Sequence, residues 1–150
     1  IYITTPYLIP NSQILTALTT ASRSGVDVRI IIPKKSDSWA AQYATDSYIE
    51  QLARSGIRIF RYHKGFVHAK TMIIDDYFSS IGTANLDYRS FSLNFEINAL
   101  IYNTRINQQM GKIFLNDLLD TEEVDYERWI ERGLTRKIQE SISRLWAPLL

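Results

Sequence analysis

The order of signals along the chain predicts a mixed α/β domain. Over the first sixty residues, β-branched runs closed by proline alternate with amphipathic stretches closed by glycine. Two apolar runs then follow around a short Asp75-Asp76 turn, and the last third has helical spacing. Strand–helix–strand–helix–strand gives a mostly parallel sheet flanked by helices, with right-handed crossovers.

The elements follow in order. IYITTPYLIP (residues 1–10) begins as a strand and is interrupted by Pro6 and Pro10. Asn11 or Ser12 can cap a helix over residues 13–25, which Gly25 ends. VDVRIIIP (26–33) has the form of a buried strand. A second helix fits residues 38–56, again stopped by glycine, and IRIFRY (57–62) alternates as a strand. VHAKTMIID and FSSIGTAN read as a hairpin, residues 86–93 as a loop, and NFEINALIY (94–102) as a further strand. Residues 104–119 and 126–150 read as helical, making 104–150 the C-terminal helical segment of one domain.

The composition, 45% hydrophobic and 22% charged, is that of an ordinary globular chain. Without cysteine it has neither disulfides nor thiolate chemistry. No apolar run approaches the roughly 18 residues of a spanning helix. The chain opens at Ile1 inside an element, which suggests a piece of a longer protein. Charge is uneven: residues 23–70 carry +5 and residues 104–127 carry −4. A plain solvated surface accounts for this, and so does a basic approach to an anionic substrate.

Strand side chains two apart share a face, so His68 and Lys70 project together. Thr83 and Asn85 do the same, as do Asn94, Glu96 and Asn98. Each has a plainer reading: a structural histidine, a snorkelling lysine, a turn asparagine, an ion-pair glutamate. Their joint spacing favours chemistry. Asp75, five residues from Lys70, falls on the opposite face and reads as a group holding the hairpin. By the same parity His63, His68, Asp75 and Asp76 make no compact ligand set, so no metal and no cofactor are expected.

The pattern His68-x-Lys70-x4-Asp75-x6-Gly82-Thr83-x-Asn85 resembles the HKD motif of the phospholipase D superfamily. Thr83 stands where serine is usual and keeps the hydroxyl. Glu96 falls where the family often places a carboxylate that orients the histidine. TTPYLIPN (4–11), GFVHAK (65–70) and ANLDYRSFSLNFEIN (84–98) resemble the second half of bacterial cardiolipin synthases.

The resemblance implies a phospholipase D-like domain, the C-terminal half of a two-motif enzyme that transfers a phosphatidyl group between phosphatidylglycerol molecules and releases glycerol. It implies a phosphohistidine intermediate, with catalytic roles for His68, Lys70, Asp75 and Glu96. Lys70, Thr83 and Asn85 would bind phosphate. It leaves open which of the two histidines is the nucleophile. The implied partners are the phospholipid, an anionic membrane surface, and the N-terminal HKD half or a second copy; no nucleic acid is expected. The implied location is the cell membrane, with the catalytic domain on the cytoplasmic side. A homodimeric phospholipase D-like hydrolase or nuclease, or a non-catalytic half-domain binding anionic lipid, stays open as an alternative.

Near the C-terminus, Ile130, Leu134, Ile138, Ile142, Leu145 and Leu149 form one apolar stripe, expected to pack on the sheet. The end, RLWAPLL (144–150), pairs an apolar tip with basic residues and suits an anionic membrane interface.

Overall fold

The computed structural model describes residues 1–145. Its seven-stranded sheet runs in the order β8-β6-β5-β1-β3-β4-β9. The strands are β1 (Tyr2–Thr4), β3 (Arg29–Pro33), β4 (Arg58–Tyr62), β5 (Thr71–Ile74), β6 (Phe78–Gly82), β8 (Asn98–Tyr102) and β9 (Thr121–Glu123). Within this sheet, parallel pairing is confined to the strand–helix–strand–helix–strand run β1, β3 and β4. The other four pairings are antiparallel.

The first run of ten residues divides. Proline at position 6 ends β1, and β2 (Leu8–Ile9) pairs with β7 (Leu86–Asp87) in a separate two-stranded sheet. The stretch 86–93, expected as a loop, contains β7 and α3 (Tyr88–Ser92), because Asp87 caps that helix by accepting from Ser90 N at 2.7 Å. Residues 94–97 precede β8 rather than belonging to it.

Helices α1 (Ser12–Arg23) and α2 (Trp39–Arg54) start where capping chemistry allows. Asn11 Oδ1 accepts from Ile14 N at 2.9 Å, and Ser38 caps α2. Both helices end at glycines with positive φ, Gly25 at 92° and Gly56 at 89°. They cover one sheet face, where Ile30 and Ile32 of β3 join Ile3, Ile49, Leu52 and Ile59 in one core. Ile31 points the other way and meets Ile73 and Phe114. Phe114 belongs to α4 (Thr104–Asp117), so β3 is buried on both faces, as central parallel strands are.

The C-terminal segment departs from expectation twice. The helix is interrupted at residues 131–133, giving α5 (Tyr126–Ile130) and α6 (Leu134–Leu145). The stripe does not pack on the sheet: Leu134, Ile138, Ile142 and Leu145 are 51–80% exposed. The polar side of α6 faces α2 instead. Arg136 reaches buried Asp46 at 2.8 Å, and Arg132 reaches buried Glu140 at 2.7 Å and Glu50 at 2.9 Å. Turning the stripe inward would strip Asp46 and Glu140 of their partners, a loss of about 3–5 kcal/mol for a broken buried pair. The ion network decides the orientation. Leu149 and the tip residues Trp146, Pro148 and Leu150 lie outside the described residues. Among the described residues no helix is long and apolar enough to cross a membrane.

Candidate active site

The C-terminal ends of β1, β3 and β4 lie beside the start of β5, since β1 and β5 are antiparallel with Thr4 opposite Thr71. His68 and Lys70 stand in the extended segment leading into β5. Gly82 N donates to Lys70 O at 3.1 Å, which brings the end of β6 alongside. A Cβ on Gly82 would collide with Asn98 Oδ1 and Ile97 O and lie 2.6 Å from Asn98 Cα, so only glycine fits this crossing.

The crossing sets the next residues. Thr83 N donates to Ile97 O at 3.0 Å, and Ile97 N donates to Thr83 Oγ1 at 2.9 Å. The Thr83 hydroxyl donates to Glu96 Oε2, while Asn94 Nδ2 donates to Glu96 Oε1 at 3.2 Å. These bonds, Thr83 foremost, hold the Glu96 carboxyl below the usual carboxylate range, with Lys70 adding attraction. Asn85 Nδ2 donates to Asp87 Oδ2 at 3.0 Å, and Asn85 N donates to Ser90 Oγ at 3.1 Å. One amide N–H of Asn85 thus remains available, while its Oδ1 is buried without a partner among the described residues.

Lys70 is half-buried, and its Nζ donates to His68 O at 2.9 Å. Burial lowers its pKa, opposed by the carboxylates of Glu96, Asp87 and Asp37. His68 is exposed, with its ring 5.3 Å from Phe66 and 6.4 Å from the edge-on ring of Tyr7. Neither ring nitrogen of His68 has a hydrogen-bond partner among the described residues. The anticipated contact from Glu96 to His68 is not formed among the described residues; the Glu96 oxygens accept from Thr83 and Asn94 instead.

Asp75 lies at the other end of the sheet. It occupies the turn after β5 with φ 50°, and its carbonyl accepts from Asn107 Nδ2 at 2.7 Å. A cavity of about 550 Å³ at that end, lined by Ile1, Tyr2, Asp27 and Asp75, does not include His68 or Lys70. The structure thus joins Lys70 to the His68 carbonyl and to the end of β6, ties Thr83 to Glu96 and Asn85 to Asp87, and leaves Asp75 apart. Among the described residues, no three His, Cys, Asp or Glu side chains form a metal-holding group.

Sequence reasoning passed over Tyr7, Asp37 and Asp87. The Tyr7 hydroxyl donates to both oxygens of Asp37 at 2.9 and 2.8 Å, and burial with that bond pushes its pKa up to about 12. The Asp87-x-x-Ser90 spacing is a helix-cap signature that could have found Asp87. Nothing local links Tyr7 to Asp37, thirty residues away. Chemically, a lysine ammonium and an unused amide N–H are both donors suited to an oxyanion.

Residues 1–118 match the family described as "Cardiolipin synthase, PLD-like domain". Over all 150 residues the chain is 47% identical to a cardiolipin synthase of Geobacillus sp. (strain WCH70) and 47% identical to the major cardiolipin synthase ClsA of Bacillus subtilis (strain 168). It spans only 30% and 31% of those two proteins. Among solved structures, Nuc of Salmonella typhimurium, a phospholipase D family member, superimposes with a TM-score of 0.69 at 22% identity, covering 81% of this chain and 79% of that one. The phosphatidylserine synthase of Haemophilus influenzae Rd KW20 gives 0.74 at 16% identity, covering 99% of this chain and 41% of that one. These two structures share the fold. The chain belongs to the cardiolipin synthase family, with a phospholipase D-like domain.

Proposed function

We propose that this domain is the second-motif half of a phosphatidyltransferase that makes cardiolipin from two phosphatidylglycerol molecules. The observation that carries this reading is Lys70 bonded to the His68 carbonyl and met by Gly82 at the end of β6, with the Glu96 carboxylate attracting Lys70, in a chain 47% identical to cardiolipin synthases throughout. The phosphodiester lies with its non-bridging oxygens toward Lys70 and the free N–H of Asn85, which stabilise the charge developing on those oxygens. The histidine of the other motif attacks phosphorus, and His68 donates its proton to the departing glycerol oxygen. His68 then takes the proton from the hydroxyl of the second phosphatidylglycerol. That oxygen attacks phosphorus, the P–N bond breaks, and the first histidine is regenerated. Glu96 acts through Thr83 and Lys70 in placing the phosphate cradle. Asp75, on the hairpin turn, shapes β5 and β6.

One histidine cannot serve as both nucleophile and proton donor, so the reading requires a second HKD half or a second copy. An apolar surface next to the site supports such a partner: Phe95 is fully exposed and Ile97 is 76% exposed. The outward apolar stripe of α6 supports contact with a membrane surface. We place the catalytic domain on the cytoplasmic side of the cell membrane.

His68→Ala in the full-length, two-motif protein tests the reading. Cardiolipin and released glycerol should fall by about 10²–10⁴-fold or more, with the fold intact by circular dichroism. Near-normal cardiolipin formation by a folded variant removes His68 from the chemistry.

A further inference from the structure

Helix α4 packs on one face of the sheet through Phe114, against Ile31 and Ile73. On the opposite face, α1 and α2 close the core over β1, β3 and β4. Beyond β1 that face continues as a row of register partners, Ile3, Met72, Ser80 and Leu100, crossing β1, β5, β6 and β8. The row floors a cavity of about 250 Å³, with Ile14 of α1 and Phe91 of α3 among its walls. It stays open to solvent, since Leu100 is 58% and Phe91 43% exposed. The next row on the same face is Lys70, Gly82 and Asn98. Asn98 Oδ1 fills the space over Gly82, and Lys70 lines the end of the same cavity, so the apolar floor ends at a lysine.

We propose that this groove holds the first part of an acyl chain of the phospholipid whose phosphate rests on Lys70. The inference rests on the function proposed above and adds where the hydrocarbon goes. An aliphatic floor that ends at a lysine complements an amphiphile with an anionic head. The groove is narrow for a protein partner, whose stable interface takes about 800 Å² on each side. Burying aliphatic carbon on Met72, Phe91 and Leu100 removes apolar surface from water on both partners. The chain thereby fixes the direction from which the phosphodiester reaches His68.

Calorimetric titration of the full-length, two-motif protein, carrying His68→Ala to prevent turnover, with two soluble probes tests this. One probe is octanoyl lysophosphatidylglycerol below its micelle concentration; the other is glycerophosphoglycerol, the same phosphodiester without a chain. The acylated probe should bind at least about tenfold tighter, the effect of burying roughly two methylene groups. Ser80→Trp, which fills the groove, and Leu100→Ser, which thins its floor at an exposed site, should each abolish that preference. Both should leave glycerophosphoglycerol affinity unchanged. Lys70→Ala should weaken both probes. Equal affinity of the His68→Ala parent for the two probes, or a preference untouched by both groove variants, overturns the acyl groove and leaves the phosphate site standing. Binding of neither probe overturns the phosphate site and the groove with it.

Discussion

The two edges of the seven-stranded sheet are finished in opposite ways. At one, β9 is only three residues long and is lined with ion pairs: Arg58 holds Glu123 at 2.8 Å and Lys34 holds Glu122 at 2.7 Å. Lys64 and Asp120 extend the row at 3.1 Å, and Trp129 packs beneath the guanidinium groups of Arg61, Arg132 and Arg136. Short length and charge are the usual protection for a free edge. At the other, β8 has five residues, and no described residue pairs with its outer side. Tyr102 is 60% exposed there, with Phe95 and Ile97, both exposed, just before the strand. An apolar edge left bare is adhesive. The contrast separates the edge this domain seals by itself from the edge that, in our proposal, meets the second catalytic half.

The comparison can be broken at the open edge first. Phe95→Asp should leave the stability of the domain within about 0.5 kcal/mol, as at ordinary surface positions. It should weaken association with the other HKD half by about 2–4 kcal/mol, the range of a buried aromatic anchor. Sedimentation of mixed halves, or turnover of the full-length variant, reads the difference. A variant that associates normally would show that the apolar edge serves some other contact.

Gly82→Ala attacks the same edge from inside. Its methyl group would meet the backbone of residues 97 and 98, which cannot rotate away. The expected loss is about 1–3 kcal/mol of stability, with the Thr83–Glu96 contact disrupted. Chemical denaturation checks the first effect, and phosphate binding checks the second.

Tyr7 belongs to neither edge and sharpens the contrast through pH. Its folded pKa of about 12 stands above the ordinary tyrosine value. The neutral phenol is therefore favoured by folding. Its contribution is fully present below about pH 10 and is lost as pH rises toward about 12. The urea midpoint should fall more steeply across that window for the parent chain than for Tyr7→Phe. Parallel curves would detach Tyr7 from the Asp37 contact.

The smallest effect belongs to the sealed edge. Glu123→Gln removes a bidentate partner from Arg58, yet both side chains are over two-fifths exposed. We expect a loss of at most about 1 kcal/mol, diminishing as salt is added. A larger, salt-independent loss would make that edge structural rather than protective.

Much of the molecule was legible before folding, because its rules are local. Proline and glycine bounded β3, α1 and α2 in the sequence as they do in three dimensions. The β-branched run of β3 announced burial on both faces, and the spacing of His68, Lys70, Asp75, Gly82, Thr83 and Asn85 marked a candidate site. Register then had to bring Lys70 beside Gly82, and the antiparallel hairpin did so. What the sequence left undecided depends on partners far apart in the chain. Hydrophobic spacing identified the stripe on α6, but its facing was settled by buried Asp46 and Glu140, whose arginine partners an apolar face could not replace. Glu96 was expected to orient His68, but the β6–β8 crossing put Thr83 within its reach instead. Tyr7 and Asp37 meet across thirty residues, a contact no periodicity encodes. Local stereochemistry set the elements, and the competition among distant polar groups for the same few partners set the site.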